Sequence, residues 1–253
     1  MAASALPVAE ASNLPSHIWP GHLDQAVTSG YADGMGMTQT PLSGPDAALL
    51  GLAAFVVVNV KSLWSLAKHL DVMAHEGMHA ITGSILGLRV RNVKLKRNGD
   101  GETSFRNAMA GGSGVFTGFV GYLGPSAFGL AAAGLIKLGY IIAVLWLGVL
   151  FLVVLLWKVL HLRSFGWVSV PIAIALLLAL THYAPVSLQV VMAYGMTWLL
   201  LLSGARKATE HGANAVDASI LKGMTHIPRW LWALLWVAGI FGAVYIGWRL
   251  LVM

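Results

Sequence analysis

His75, Glu76 and His79 form an H-E-x-x-H pattern inside the run from Asp71 to Leu88, DVMAHEGMHAITGSILGL, whose remaining residues are mostly small or apolar. On a helix, residues four apart share a face with Cβ atoms about 5–6 Å apart, so His75 and His79 can each turn one imidazole nitrogen onto a single ion. Such a pair suits zinc. Glu76 flanks the same face, where its carboxylate can accept a proton from a water that the metal has acidified. The chemistry implied is hydrolysis. A three-residue pattern also arises by chance in chains that bind no metal. Here its flanks, Val72, Met73, Ala80, Ile81, Ile85 and Leu86, place the polar groups at or near membrane depth. An ionisable residue at the bilayer centre costs at least about 2.5–3.5 kcal/mol and normally faces a site or a cavity, which favours the metal reading.

A catalytic zinc usually takes three protein ligands and keeps a fourth position for water. Asp71 shares the histidine face, but eight residues of helix separate it from His79 by about 12 Å, so it reads as a supporting residue or a helix start. Beyond residue 106, His161, His182, Glu210, His211, Asp217 and His226 have the right chemistry. Asp217 is favoured because it begins a helical run, Asp217-Ala-Ser-Ile-Leu, on the side of the membrane where the metal helix ends. Glu210 and His211, closer to the preceding apolar run, stay open as alternatives, and an ordinary helix N-cap is the other reading of Asp217.

These residues must be held by a membrane scaffold. The chain has 253 residues, 57% hydrophobic and 10% charged, with a mean hydropathy of +0.75, a polytopic membrane composition. Its formal charge is +6, but Lys and Arg sit between apolar runs, as lipid-surface anchors do, and no nucleic-acid motif is present. With no cysteine, there is no disulfide framework, no thiolate ligand and no cysteine nucleophile.

Residues 1–45 are expected as a polar, poorly ordered tail, without the basic start and apolar core of a secretory signal. Its His17 and His22 read as solvated side chains. An integral membrane domain is expected over 46–253, all-α with about six or seven transmembrane helices. The run 47–60 is short for a span unless it continues toward Leu66. After the metal helix, residues 89–106 alternate Val93 and Leu95 with Lys94 and Lys96 before Asn98-Gly99, which predicts a β-hairpin. Spans are expected over 111–138, with close packing at Gly114 and Gly118 and a break at Gly124-Pro125, then over 140–157, 166–180, 186–203 and 230–251, with a polar connector at 206–229. Most basic residues fall in alternate connectors, leaving Lys61, Lys68, Lys137 and Arg249 for the opposite side. The hairpin side, and the site with it, is therefore expected to face the cytoplasm of a multi-pass cell-membrane protein.

The chain resembles the site-2-protease-type intramembrane zinc metallopeptidases, in a bacterial branch without an inserted PDZ-like domain. The resemblance runs from Val72 to the C-terminus. It is carried by His75-Glu-Gly-Met-His79-Ala80, the basic hairpin ending near Gly101-Glu-Thr, Gly121-Tyr-Leu-Gly-Pro125, and Asp217-Ala-Ser-Ile-Leu221 followed by Thr225-His-Ile-Pro228. It implies zinc held by His75, His79 and Asp217, with Glu76 as base, and hydrolysis of peptide bonds in or near transmembrane segments of other proteins. Better-known members carry an Asn- and Pro-rich segment ending in Leu-Asp-Gly around the aspartate. This chain has Asn214-Ala-Val-Asp217-Ala instead. Asn214 is a candidate for hydrogen bonding to substrate, and Val93 and Leu95 for pairing an extended substrate with the hairpin edge. A membrane zinc transporter is the first rival reading; it calls for further acids or histidines inside neighbouring spans, which the spans after Gly111 lack except near their ends. A non-catalytic metal-binding scaffold is the second, and would not need Glu76.

Overall fold

The computed structural model describes residues 38–158, 164–211 and 214–253. The tail expected over 1–45 thus falls outside the described residues up to residue 37, and His17, His22 and His161 do so with it.

Helix α1 (Gly44–Asn59) starts at Ser43, whose hydroxyl accepts from Asp46 N–H, with a proline in its first turn, where the missing donor does no harm. The chain turns at Val60, which is extended, and α2 (Lys61–Ile85) leaves at a bend of 101°. Residues 61–66 therefore belong to α2, the helix of the H-E-x-x-H pattern, and do not lengthen the first apolar run. Trp198 Nε1 donates to Ala47 O at 2.9 Å and the Tyr194 hydroxyl accepts from Leu42 N–H at 3.0 Å, fixing α1 to a later helix.

The hairpin appears where the alternation predicts it. β1 (Val90–Leu95) pairs antiparallel with β2 (Gly101–Phe105), Val93 opposite Thr103 and Leu95 opposite Gly101, with a bulge between Val90 and Asn92. Gly99 makes the turn at φ +79°, a conformation open to glycine at little steric cost. Because side chains alternate, Val93, Leu95, Thr103 and Gly101 form the face toward α2.

Helix α3 (Gly111–Lys137) runs unbroken through Pro125, so the break expected at Gly124-Pro125 does not occur. The glycines serve close packing instead. A Cβ at Gly124 would stand 2.7 Å from Met78 Cβ and 3.1 Å from Ala74 O on α2, and one at Gly129 would stand 2.8 Å from Leu201 N. Small residues let helices close where lipid gives no hydrophobic drive between them. Helices α4 (Ile141–Lys158) and α5 (Gly166–Tyr183) pack on each other and, with α6 (Val186–His211), join the main apolar core. The 206–229 connector contains the helical run expected at Asp217. It holds the end of α6 and a short helix α7 (Val216–Thr225) before α8 (Arg229–Val252) closes the bundle. A second apolar cluster, including Tyr122, Leu221, Trp232, Trp236 and Ile240, ties α3, α7 and α8 together.

Among the described residues, α3, α4, α5, α6 and α8 are each long and apolar enough to cross a membrane, and the bent α1–α2 pair makes a sixth if taken as one span. The all-α membrane architecture with one small hairpin is as expected, with five such helices, or six if the bent pair is one span, against the six or seven expected.

Candidate metal centre

The helical spacing brings His75 and His79 together, with their Nε2 atoms 3.2 Å apart. Helix α7 brings Asp217 against them: its Oδ2 lies 3.2 Å from His75 Nε2 and 3.5 Å from His79 Nε2. The fit to zinc can be tested on these three separations. Ligand bonds of about 2.0–2.2 Å at tetrahedral angles put donor atoms about 3.3–3.6 Å apart, and the triangle matches within its own scatter. Two imidazoles and a carboxylate are also a zinc-type donor set. Among the described residues these three form one group able to hold a metal ion.

Asp217 occupies the first turn of α7, whose N-cap is Ala215, so it is not the N-cap. Of the alternatives, Glu210 is paired with Arg206 one turn earlier on α6, at 2.8 Å. The His211 side chain lies outside the described residues.

Tautomer and orientation are set by neighbours. His79 Nδ1 lies 2.8 Å from Thr117 O on α3; a carbonyl only accepts, so Nδ1 carries the proton and Nε2 keeps its lone pair for a metal. Gly121, one turn further along α3, leaves the room that the His79 ring fills. The Tyr122 and His75 rings meet in a T-shaped contact at 5.0 Å, and Tyr122 stacks on Trp236 of α8 at 4.2 Å.

Glu76 is buried, with Oε1 4.0 Å from His75 Nε2. Its Oε2 accepts from Thr103 Oγ1 on β2 at 2.7 Å. The same hydroxyl lies 3.2 Å from Glu76 O, and the β2 backbone comes so near at Gly101 that a Cβ there would overlap Glu76 Cγ. One carboxylate oxygen is thus held by the hairpin while the other faces the histidines, the arrangement a general base needs.

The substrate-binding candidates fare differently. Val93 and Leu95 are buried, so their side chains do not reach out to a partner. The backbone of Leu95 is also engaged: its N–H donates to Ser164 Oγ at 2.8 Å and its C=O accepts from that hydroxyl at 3.1 Å. The alternation of an antiparallel ladder leaves the Val93 N–H and C=O on the same outer edge. Asn214 is exposed in the turn before α7.

Sequence reasoning missed Thr103, Thr117 and Lys207. Thr103 had a faint signal in the Gly101-Glu-Thr segment. Lys207 read as a membrane-surface anchor, whereas its Nζ lies 3.6 Å from Asp71 Oδ2 and 5.6 Å from the Tyr122 ring centre, inside the bundle.

A family model described as Peptidase M50B-like matches residues 48–247. No curated protein and no solved structure matches the chain.

Proposed function

The chain belongs to the Peptidase M50B-like family, a family of membrane metallopeptidases, and from that premise we propose that it is an intramembrane zinc endopeptidase acting on peptide bonds in or near transmembrane segments of other membrane proteins. The observation that carries the reading is the convergence of His75, His79 and Asp217 donors at 3.2–3.5 Å beside a buried Glu76. When bound, zinc supplies Lewis acidity toward water and toward the scissile carbonyl. His75 Nε2, His79 Nε2 and an Asp217 oxygen would hold it. Glu76 Oε1 takes a proton from the attacking water and returns it to the leaving amine as the C–N bond breaks; Thr103 keeps Oε2 engaged, so the free oxygen stays aimed at the site. Apolar walls exclude bulk water, and Asp217, the most exposed of the four groups, marks the side from which solvent enters.

A helical substrate must unwind before its amides can react. The Val93 N–H and C=O face the outer edge of β1, where an extended segment would add in the strand-addition mode of peptide recognition by displacing the cover that leaves Val93 buried, and Asn214, exposed in the turn before α7, is the candidate to donate to it. Exposed Arg89, Arg91, Lys96 and Arg97 keep the hairpin at an anionic lipid surface, the cytoplasmic one by the distribution of basic residues.

The test is metal analysis of the purified protein together with cleavage of a reconstituted membrane-protein substrate. His75→Ala, His79→Ala and Asp217→Ala should lose zinc and activity together, whereas Glu76→Gln should keep zinc and lose turnover. Cleavage by Glu76→Gln at the wild-type rate would refute the mechanism.

A further inference from the structure

Two buried polar atoms near the metal centre have no hydrogen-bond partner among the described residues, and each has what the other needs. One is His75 Nδ1 and the other is Asp71 Oδ1. Asp71 lies one turn before His75 on α2, so their Cβ atoms are about 5–6 Å apart on one face. Helical side chains lean toward the N-terminus, which tilts the His75 ring over Asp71. The contrast with His79 is informative: its Nδ1 already has the Thr117 carbonyl at 2.8 Å. His75 Nε2 is committed to the site, within 3.2 Å of both Asp217 and His79, so its proton must reside on Nδ1 whenever Nε2 is a ligand. A ligating histidine nearly always gives that second N–H to a carboxylate, a carbonyl or a water.

Asp71 is itself buried and needs a counter-charge. Lys207 of α6 supplies it, with Nζ 3.6 Å from Oδ2, and Asp71 Oδ1 is left over. We propose that Asp71 and Lys207 form a positioning pair for the metal centre: Lys207 holds one Asp71 oxygen, and the other, unbonded in this structure, takes His75 Nδ1–H when Nε2 binds zinc, fixing the tautomer and orientation of the ligand. Lys207 also lies over the ring of Tyr122, which abuts His75, so the pair joins α2, α3 and α6 at the ligand. The inference rests on His75 being a zinc ligand.

The experiment measures zinc affinity of the full-length, detergent-solubilised protein by chelator competition, with helix content and the melting of the zinc-free protein recorded alongside. Asp71→Leu should weaken zinc by about 10–100-fold. Asp71→Asn, whose amide oxygen can still accept Nδ1–H, should weaken it several-fold less. Lys207→Arg should keep affinity within about threefold, and Lys207→Met should lower it, because the unpaired carboxylate is no longer held in place. Should Asp71→Leu fail to fold, the order of Asp71→Asn and Lys207→Met against wild type decides. A folded Asp71→Leu with wild-type affinity, or Asp71→Asn losing as much as Asp71→Leu, would overturn the proposal while zinc loss in His75→Ala left the metal site standing. Zinc retained by His75→Ala would instead overturn the metal reading itself.

Discussion

Replacing Gly121 by alanine adds one methyl group at the place where α3 meets His79 of α2. That Cβ would overlap Cε1 and Nε2 of His79 and stand 2.9 Å from Cδ2. Carbon atoms settle at about 3.5–4.0 Å, so the imidazole must retreat by about 1 Å or more. The helix cannot easily retreat in its place, since Gly124 is against Met78 and Ala74, and Gly129 is against Leu201. Site geometry tolerates about 0.5 Å, and a shift of 1 Å would also pull Nδ1 from Thr117 O. The expected result is at least about a 100-fold loss of zinc affinity, with proteolysis lost in step and helix content unchanged. Gly134→Ala on the same helix is the control: no atom lies within 4 Å of its added Cβ, and alanine there favours the helix by about 1 kcal/mol at most. Zinc affinity is read by chelator competition and folding by circular dichroism. A Gly121→Ala protein that binds zinc and cleaves like wild type would refute the packing of α3 on His79, and the reasoning built on it.

Thr103→Val removes the hydroxyl that holds Glu76 Oε2 without changing side-chain size. A hydrogen bond to a charged group is worth about 1.5–3 kcal/mol, so kcat should fall about 10–100-fold with zinc content unchanged and Thr103→Ser restoring it; equal loss in both variants would assign Thr103 a packing role. Val93→Pro removes an outward N–H but no hairpin hydrogen bond, and should raise KM for a transmembrane substrate while zinc and fold persist; unchanged KM would move substrate binding elsewhere. Leu95→Pro should instead destabilise the hairpin, because its N–H is bonded to Ser164, and a protease-resistant Leu95→Pro hairpin would contradict this. In a chain with no native cysteine, thiols introduced at the exposed Asp100 and Lys137 positions should label from opposite sides of the membrane, and labelling from one side would overturn the topology.

The sequence by itself determined whatever depends on neighbours along the chain. The spacing of His75 and His79 makes them one face of a helix wherever that helix lies. Alternation around Val93 and Leu95, with Asn98-Gly99 after it, specifies a hairpin from local backbone preferences. Apolar runs of membrane-spanning length need no tertiary knowledge to be recognised, and the five long spans fall close to where they were expected. Tertiary structure decided which distant groups complete the site. Glu210, His211 and Asp217 were alternatives of similar chemistry in the sequence; Glu210 pairs with Arg206 four residues earlier on its own helix, a contact that spacing alone allows, whereas packing delivered Asp217 from the first turn of α7. It also carried Lys207 inward to Asp71, set Thr103 on Glu76, and turned the suspected break at Gly124-Pro125 into a tight helix contact. None of these tertiary contacts follows from periodicity, because each depends on how closely elements distant in the chain approach. That distance is fixed by absent side chains at Gly121, Gly124 and Gly129, whose effect appears only when the opposing surface is known.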